Sequence, residues 1–237
     1  MENDSSHDSQ ATALDSGPES RASVLILFAH PALEKSRVNR QLVEEVRDLP
    51  GVTFHDLYES YPDFHIRVDR EQELLEQHQI VVMQHPLFWY STPALLKEWQ
   101  DLVLVHGWAY GSEGRALAGK TMCSAVTTGG REQAYTPEGF NRFSLRELLR
   151  PIEQTAWLCG IDYLGPFAIQ GTLRMDATTI GSHVRDYRRF VEALRDGQID
   201  LEAARQAPRL NTDLDTILRG STQTAAKAHD EEAGDAR

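Results

Sequence analysis

Residues 24–29 read Val-Leu-Ile-Leu-Phe-Ala and are followed by His30 and Pro31. Six apolar residues in a row, mostly branched and ended by a proline, are too short for a helix and have no polar face. They read as a strand buried on both sides. Residues 36–48 follow, with Val38, Leu42, Val43 and Val46 at helical spacing. The same pairing recurs along the chain. Residues 52–57 alternate as a strand, and residues 69–78 are helical with Leu74 and Leu75. Residues 80–84 (IVVMQ) form a second continuous apolar strand. Ser91-Thr-Pro93 opens a helix with a hydroxyl cap and a proline in its first turn. That helix is expected to run to about Val105, with Leu95, Leu96, Trp99, Leu102 and Val103 inward. Residues 121–126 are the next strand. Residues 144–159 are a helix that Pro151 kinks or splits and Gly160 stops. Residues 162–170 read as a last strand interrupted near Pro166, and residues 183–194 as a closing helix with Tyr187, Phe190 and Leu194 inward.

This βα alternation, with continuous apolar strands, implies an α/β protein with a parallel sheet covered by helices on both faces. Five strands fit the flavodoxin-like order 2-1-3-4-5, which binds ligands outside the carboxyl ends of its strands. The domain is expected over residues 23–200. Residues 1–22 hold five acids and one arginine without apolar periodicity and read as a disordered acidic extension; residues 201–237 read as helical, then disordered.

The chain has 237 residues and a formal charge of −12, from 24 Lys+Arg against 36 Asp+Glu. That balance argues against a nucleic-acid binder, which needs basic density to neutralise phosphates. Two cysteines, Cys123 and Cys159, make no disulfide framework and read as inert buried thiols. The histidines lack metal-ligand spacing, so no metal is expected. No apolar run approaches the roughly 20 residues of a spanning helix, and the N-terminus lacks the pattern of a signal peptide, so a reduced, cytoplasmic setting is expected.

The informative residues sit just after the strands. After the first, Ala29-His30-Pro leads to Ser36, Arg37, Val38 and Asn39 at a helix N-terminus, where free amides and the helix dipole favour an anion. No G-x-G-x-x-G is present, so a monophosphate held by amides, hydroxyl, amide side chain and imidazole fits better than a dinucleotide. After the third strand, His85-Pro-Leu87-Phe88-Trp89-Tyr90 could wall a planar ligand. After the fourth, Thr127-Thr128-Gly129-Gly130 allows close backbone approach. Taken singly, these have plain readings: Ser36 as a helix cap, the rings as packing, TTGG as a tight turn. Taken together, they describe a flavin mononucleotide (FMN) pocket.

Several stretches carry a specific resemblance: Ala29-His-Pro with Ser36 and Asn39, DLY..YPDF (56–64), REQ.LL..H (70–78), QHPLFWYS.PALLKEW.D (84–101), HGWAYG (106–111), LAGK (117–120) and TTGG (127–130). Over about residues 24–195 the chain resembles the flavodoxin-like NAD(P)H:quinone oxidoreductases. Within them it is most similar to the KefF/KefG-type ancillary subunits of glutathione-gated potassium efflux systems. The resemblance implies non-covalent FMN held by His30 and residues 36–39, by residues 87–90 and by residues 127–130. It also implies two-electron, ping-pong hydride transfer from NAD(P)H to a quinone, and a homodimer. His106, Trp108 and Tyr110 would lie near the substrate cleft. Tyr135 falls where some relatives place a tyrosine that balances charge on the reduced flavin, and Asn141 falls at the position of their histidine. Asparagine cannot take up a proton as imidazole does. The alternative function is an activating subunit of a membrane potassium efflux antiporter with little turnover of its own, peripheral at the inner face of the cell membrane.

Overall fold

The computed structural model describes residues 21–212 and 214–218. In chain order these form β1 (Val24–Phe28), α1 (Arg37–Val46), β2 (Val52–Asp56), α2 (Leu57–Ser60), α3 (Val68–Gln77), β3 (Ile80–Pro86), α4 (Ala94–Val103) and β4 (Thr121–Thr128). There follow α5 (Leu145–Leu148), α6 (Arg150–Leu158), β5 (Asp162–Tyr163), β6 (Phe167–Gln170), α7 (Ala177–Arg195), α8 (Leu201–Gln206) and α9 (Leu214–Ile217). The sheet is parallel in the order β2-β1-β3-β4-β5, the flavodoxin-like order, with β6 also paired to β4.

Every residue of β1 and β3 is buried, as a strand with helices above and below must be. The pleat divides their side chains between two cores. Leu25, Leu27, Val81 and Met83 join Leu95, Leu96 and Trp99 of α4 and Ile152 of α6 on one face. Val24, Ile26 and Val82 join Leu42 of α1 and Tyr187 and Phe190 of α7 on the other.

Some boundaries differ from the sequence expectation. The fifth position holds two pieces: β5 pairs with Thr121 and Met122, and β6 with Ala125 to Thr128, on either side of Pro166, which has no N–H for the ladder. Helix α4 is not capped by a hydroxyl. Pro93 itself occupies the cap position with no side-chain cap bond, and the Thr92 hydroxyl is buried without a partner. Leu102 is 39% exposed rather than inward. Pro151 does split its helix: α5 closes at Leu149 after a Ser144–Glu147 capping box, and α6 carries the proline in its first turn. Helix α7 starts earlier than expected because Asp176 caps it by accepting from the Thr179 N–H. Past residue 200, Ala204, Leu210, Leu214 and Ile217 pack into the same core as α7. The expected disorder of residues 1–20 and 219–237 falls outside the described residues. At the near end of the first stretch, Arg21 pairs with Asp196 and the Ala22 N–H donates to the Arg195 carbonyl. Both cysteines are buried free thiols, and burial pushes their pKa values up, that of Cys123 to about 12.

Glu71 ties β2, α3, α4 and the segment after α2 together. It is 1% exposed, yet it accepts from the Trp99 indole at 2.8 Å and the Tyr61 hydroxyl at 2.5 Å and bonds His55 Nε2 at 2.9 Å. Burial alone would raise its pKa, but His55, Tyr61 and Trp99 outweigh burial and hold it below the usual value. A depressed carboxylate contributes stability above its unfolded pKa and loses it as pH falls through the folded one. Glu71→Ala should cost roughly 3–5 kcal/mol, the usual penalty for breaking a buried pair. Thermal melts between pH 3 and 7 should show a wild-type stability that falls on the acid side and a variant whose acid limb is flatter. Equal melting temperatures at neutral pH would refute the role given to Glu71.

Candidate cofactor-binding site

The carboxyl ends of β1, β3 and β4 lie side by side, with Phe28 opposite Gln84 and Pro86 opposite Thr127. Their loops enclose a cavity of about 470 Å³ lined by His30, Ser36, Arg37, Val38, Asn39, Leu87, Phe88, Thr127 and Gly129, among others. The loops after β1, β3 and β4 thus meet in one place, together with Thr172 and Leu173 from beyond β6.

At one end is the N-terminus of α1. Ser36 is its cap: the hydroxyl oxygen accepts from the Asn39 N–H at 3.1 Å and from Asn39 Nδ2 at 3.2 Å. The cap reading and the phosphate reading of Ser36 are therefore compatible. With its lone pairs engaged, the hydroxyl keeps its own proton to donate, and no described residue accepts it. Asn39 Nδ2 also donates to Thr127 Oγ1 at 2.9 Å, while Asn39 Oδ1 is buried without a partner. Both partners of that amide are hydroxyls, which can donate as readily as accept. The free Ser36 proton belongs to the orientation in which Nδ2 donates to both hydroxyls; a flipped amide would take that proton on Oδ1. His30 Nδ1 accepts from the Ala32 N–H, so the ring proton sits on Nε2. Burial lowers the His30 pKa against the opposing pull of Glu34, which keeps the ring a neutral donor near pH 7.

At the other end is the loop after β3. Phe88 and Ser91 exchange backbone hydrogen bonds of 3.0 and 2.9 Å around Trp89 and Tyr90. Both central residues have positive φ, 48° and 66°, so the turn is of the type that asparagine and glycine normally fill. Trp89 is 94% exposed. With Tyr90, Gly130, Tyr135, Phe140 and Asn141 it lines a second cavity of about 360 Å³ that shares Leu87 and Gly129 with the first. The Tyr90 hydroxyl donates to Asn141 Oδ1 at 3.3 Å. Tyr135 instead lies over Gly130, where a Cβ would come within 3.1 Å of its ring.

Thr128 Oγ1 donates to the Gly130 carbonyl, and the Gly171 N–H to the carbonyls of Thr128 and Gly130, which fixes the TTGG loop from behind. The two glycines of that loop sit close to side chains: a Cβ on Gly129 would meet the end of the exposed Leu173 side chain at 3.1 Å, which would have to shift by a few tenths of an ångström. His85 is fully buried, its Nδ1 3.0 Å from the Pro86 carbonyl, and burial lowers its pKa to about 4. His106, Trp108 and Tyr110 line neither cavity. His106 and Tyr110 bridge each other, and the Trp108 indole donates to Glu76. Sequence reading missed Lys35, Thr172, Leu173 and Phe140. Thr172 and Leu173 follow the carboxyl end of β6, so the rule that pointed to three strand ends also applied to the last one.

A family model described as the flavodoxin-like fold matches residues 22–191. The chain belongs to that family. A glutathione-regulated potassium-efflux system ancillary protein KefG from Cronobacter sakazakii is 47% identical over 170 residues, 72% of this chain and 92% of that protein. Among solved structures, a general stress protein 14 from Treponema denticola in complex with FMN is 39% identical with a TM-score of 0.68, over 73% of this chain and 99% of that one. An NADPH-quinone reductase from P. pentosaceus is 31% identical with a TM-score of 0.65, over 71% and 96%. A thermophilic tryptophan halogenase from Streptomycin violaceusniger is 43% identical with a TM-score of 0.69, over 70% and 97%.

Two substitutions test the ends of the site separately. Ser36→Ala removes a hydrogen bond to a charged acceptor, about 1.5–3 kcal/mol, so FMN affinity should fall roughly 10- to 150-fold. Riboflavin, which lacks the phosphate, should bind as before. Fluorescence titration of both flavins reads the difference, and equal losses would mean that Ser36 acts only through the helix. Replacing Trp89-Tyr90 by Asn-Gly should relieve backbone strain of roughly 1–3 kcal/mol per residue and raise the melting temperature. The same variant should retain less flavin on purification; a variant that keeps its full complement would show that the two rings are dispensable.

Proposed function

We propose that the chain is an FMN-dependent NAD(P)H:quinone oxidoreductase. The observation that carries this reading is the pair of adjoining cavities, sharing Leu87 and Gly129, that place a monophosphate-type donor set at the α1 N-terminus and aromatic and glycine walls beyond it. The FMN in one structural neighbour's name and the NADPH-quinone reductase activity in another's support it. The halogenase name stays with the protein that bears it.

Bound FMN would supply the redox chemistry, two-electron exchange between reduced nicotinamide and a quinone. This chain's residues do the rest. Ser36, the amides of Arg37 and Val38 and neutral His30 would hold the phosphate, with Asn39 positioning the Ser36 hydroxyl. Leu87 to Tyr90 and Thr127 to Gly130 bring backbone amides to the ring edge and limit water on its face. The Tyr135 phenol, beside Gly130, can donate a hydrogen bond where negative charge develops. Asn141 orients Tyr90 and offers hydrogen bonds but holds no transferable proton. The reading includes a homodimer closed by a two-fold axis.

A second reading, compatible with the first, is favoured by the KefG name of the sequence relative: an activating subunit of a potassium efflux antiporter. No described helix is long and apolar enough to cross a membrane, so any place at the membrane would come through such a partner.

The test is an absorbance spectrum of purified protein followed by mixing with NADPH and menadione. The expected result is yellow protein that consumes NADPH when the quinone is present. Tyr135→Phe should keep its flavin and turn over about 100-fold more slowly, at the lower edge of what a positioned proton donor contributes. Colourless protein would overturn the FMN reading. Yellow protein that is inert, but raises efflux when co-expressed with the antiporter, would leave the activating role alone.

A further inference from the structure

Beside the main cavity lies a smaller one of about 290 Å³, lined by Gly129, Arg131, Gly171, Leu173 and Arg174. Gly129 and Leu173 also line the main cavity, so the two are continuous along that wall. Arg131 and Arg174 are both exposed; their backbones bond within the turns, the Arg174 N–H donating to the Gly171 carbonyl and the Arg131 carbonyl accepting from the Ala134 N–H, but neither guanidinium pairs with a described residue. The carboxylates nearest in the chain are already engaged. Glu132 pairs with Arg209 at 2.6 Å, and Asp176 accepts from the Thr179 N–H at 2.8 Å as the cap of α7, which holds it below its usual pKa. In a chain of net charge −12, two guanidiniums left without a partner in one concavity stand out.

Their placement depends on the backbone. Gly171 has φ +81°, and a Cβ there would come within 3.2 Å of the Arg131 side chain. The absence of that Cβ lets the Arg131 stem lie across the turn after β6, while the turn carries Arg174 three residues on. Two planar forks facing one small space suit a phosphomonoester dianion, which accepts paired hydrogen bonds from each. The FMN phosphate has its own donors at the α1 N-terminus, so this subsite is free for another.

We propose that Arg131 and Arg174 bind the 2′-phosphate of NADPH and give the protein a preference for NADPH over NADH. The inference rests on the oxidoreductase reading for its substrate, but its test does not require turnover. FMN-loaded protein is titrated calorimetrically with 2′,5′-ADP and with 5′-ADP, which differ only in that phosphate. Wild type should bind 2′,5′-ADP at least about 10-fold more tightly, the gain from one charge-assisted hydrogen bond. In the double variant Arg131→Gln with Arg174→Gln the gap should close, 5′-ADP affinity should hold, and FMN content should be unchanged. No gap in wild type, or a gap that survives in the variant, overturns the proposal. FAD and FMN titrations of the apoprotein form the second arm. A variant that loses FAD affinity while keeping the 2′,5′-ADP gap would assign the arginines to the flavin's adenylate and overturn it as well. Stopped-flow mixing with NADPH and NADH separates the two readings. Failure of both to bleach the flavin, with the binding gap intact, sinks the oxidoreductase and leaves the subsite.

Discussion

The hydrogen bond from Asn39 Nδ2 to Thr127 Oγ1 spans 88 residues of sequence and closes the crevice from inside. It joins the loop that would hold a phosphate to the loop that would meet a ring. Its two ends are fixed by separate means. Ser36 caps α1 and sets Asn39 on the first turn. The unbroken pairing of β1 with β3 and of β3 with β4 sets Thr127 opposite Pro86. A one-residue slip of β4 would send Thr127 to the opposite face and leave the buried amide of Asn39 without its partner. The site therefore takes its precision from a rigid sheet, and its loops have little freedom to misplace their donors.

The cost of that arrangement is concentrated at one end of the molecule. Among the described residues, the buried polar side-chain atoms without partners belong to Asn39, Gln84, His85 and Thr92. Asn39 lines the cavity, and the other three stand at the end of β3 or in the loop that follows it. The consecutive positive-φ residues Trp89 and Tyr90 lie in that same loop. By contrast, the deeply buried Glu71 on α3 has three side-chain partners. Unsatisfied polarity gathered, among the described residues, at the carboxyl ends of the strands, with consecutive positive-φ residues in the same loop, is what a fold shows when a ligand is meant to finish one end of it.

The sheet was legible because β1 and β3 have no polar face. Only helices on both sides could bury VLILF and IVVMQ, and that requirement sets the fold class. The candidate cavity was legible for the related reason that parallel strands end on one edge, so residues after them gather there. What the pattern hid was local. Leu102 has the right spacing for the core, but α4 ends one residue later and leaves it 39% exposed. Ser91 and Thr92 look like a helix cap, yet Ser91 closes the turn on Phe88 and the helix starts beyond both. The positive φ of Trp89 and Tyr90 could not be read from residue type, since rings are among the last side chains expected there. Thr172 and Leu173 were hidden by Pro166, which broke the last strand in the reading and drew attention away from its carboxyl end.

Charge shows a similar separation. The acidic total of the chain is not spread evenly: Lys35, Arg37, Arg131 and Arg174 all line cavities at the strand ends. Local field, not net charge, governs what an enclosed concavity attracts, because low-dielectric walls confine it. An acidic protein can therefore keep a cationic rim for phosphorylated ligands while its outer surface repels polyanions. Lys35 and Arg37 stand beside the donors of α1 in the main cavity, while Arg131 and Arg174 stand apart in the smaller one. At the far end of the crevice the Tyr90 hydroxyl donates to Asn141, while the Tyr135 phenol has no side-chain partner among the described residues. The phosphate-type donors of α1 and the exposed rings after β3 thus stand at opposite ends of the crevice on separate loops, and sequence change at the second end need not disturb the first.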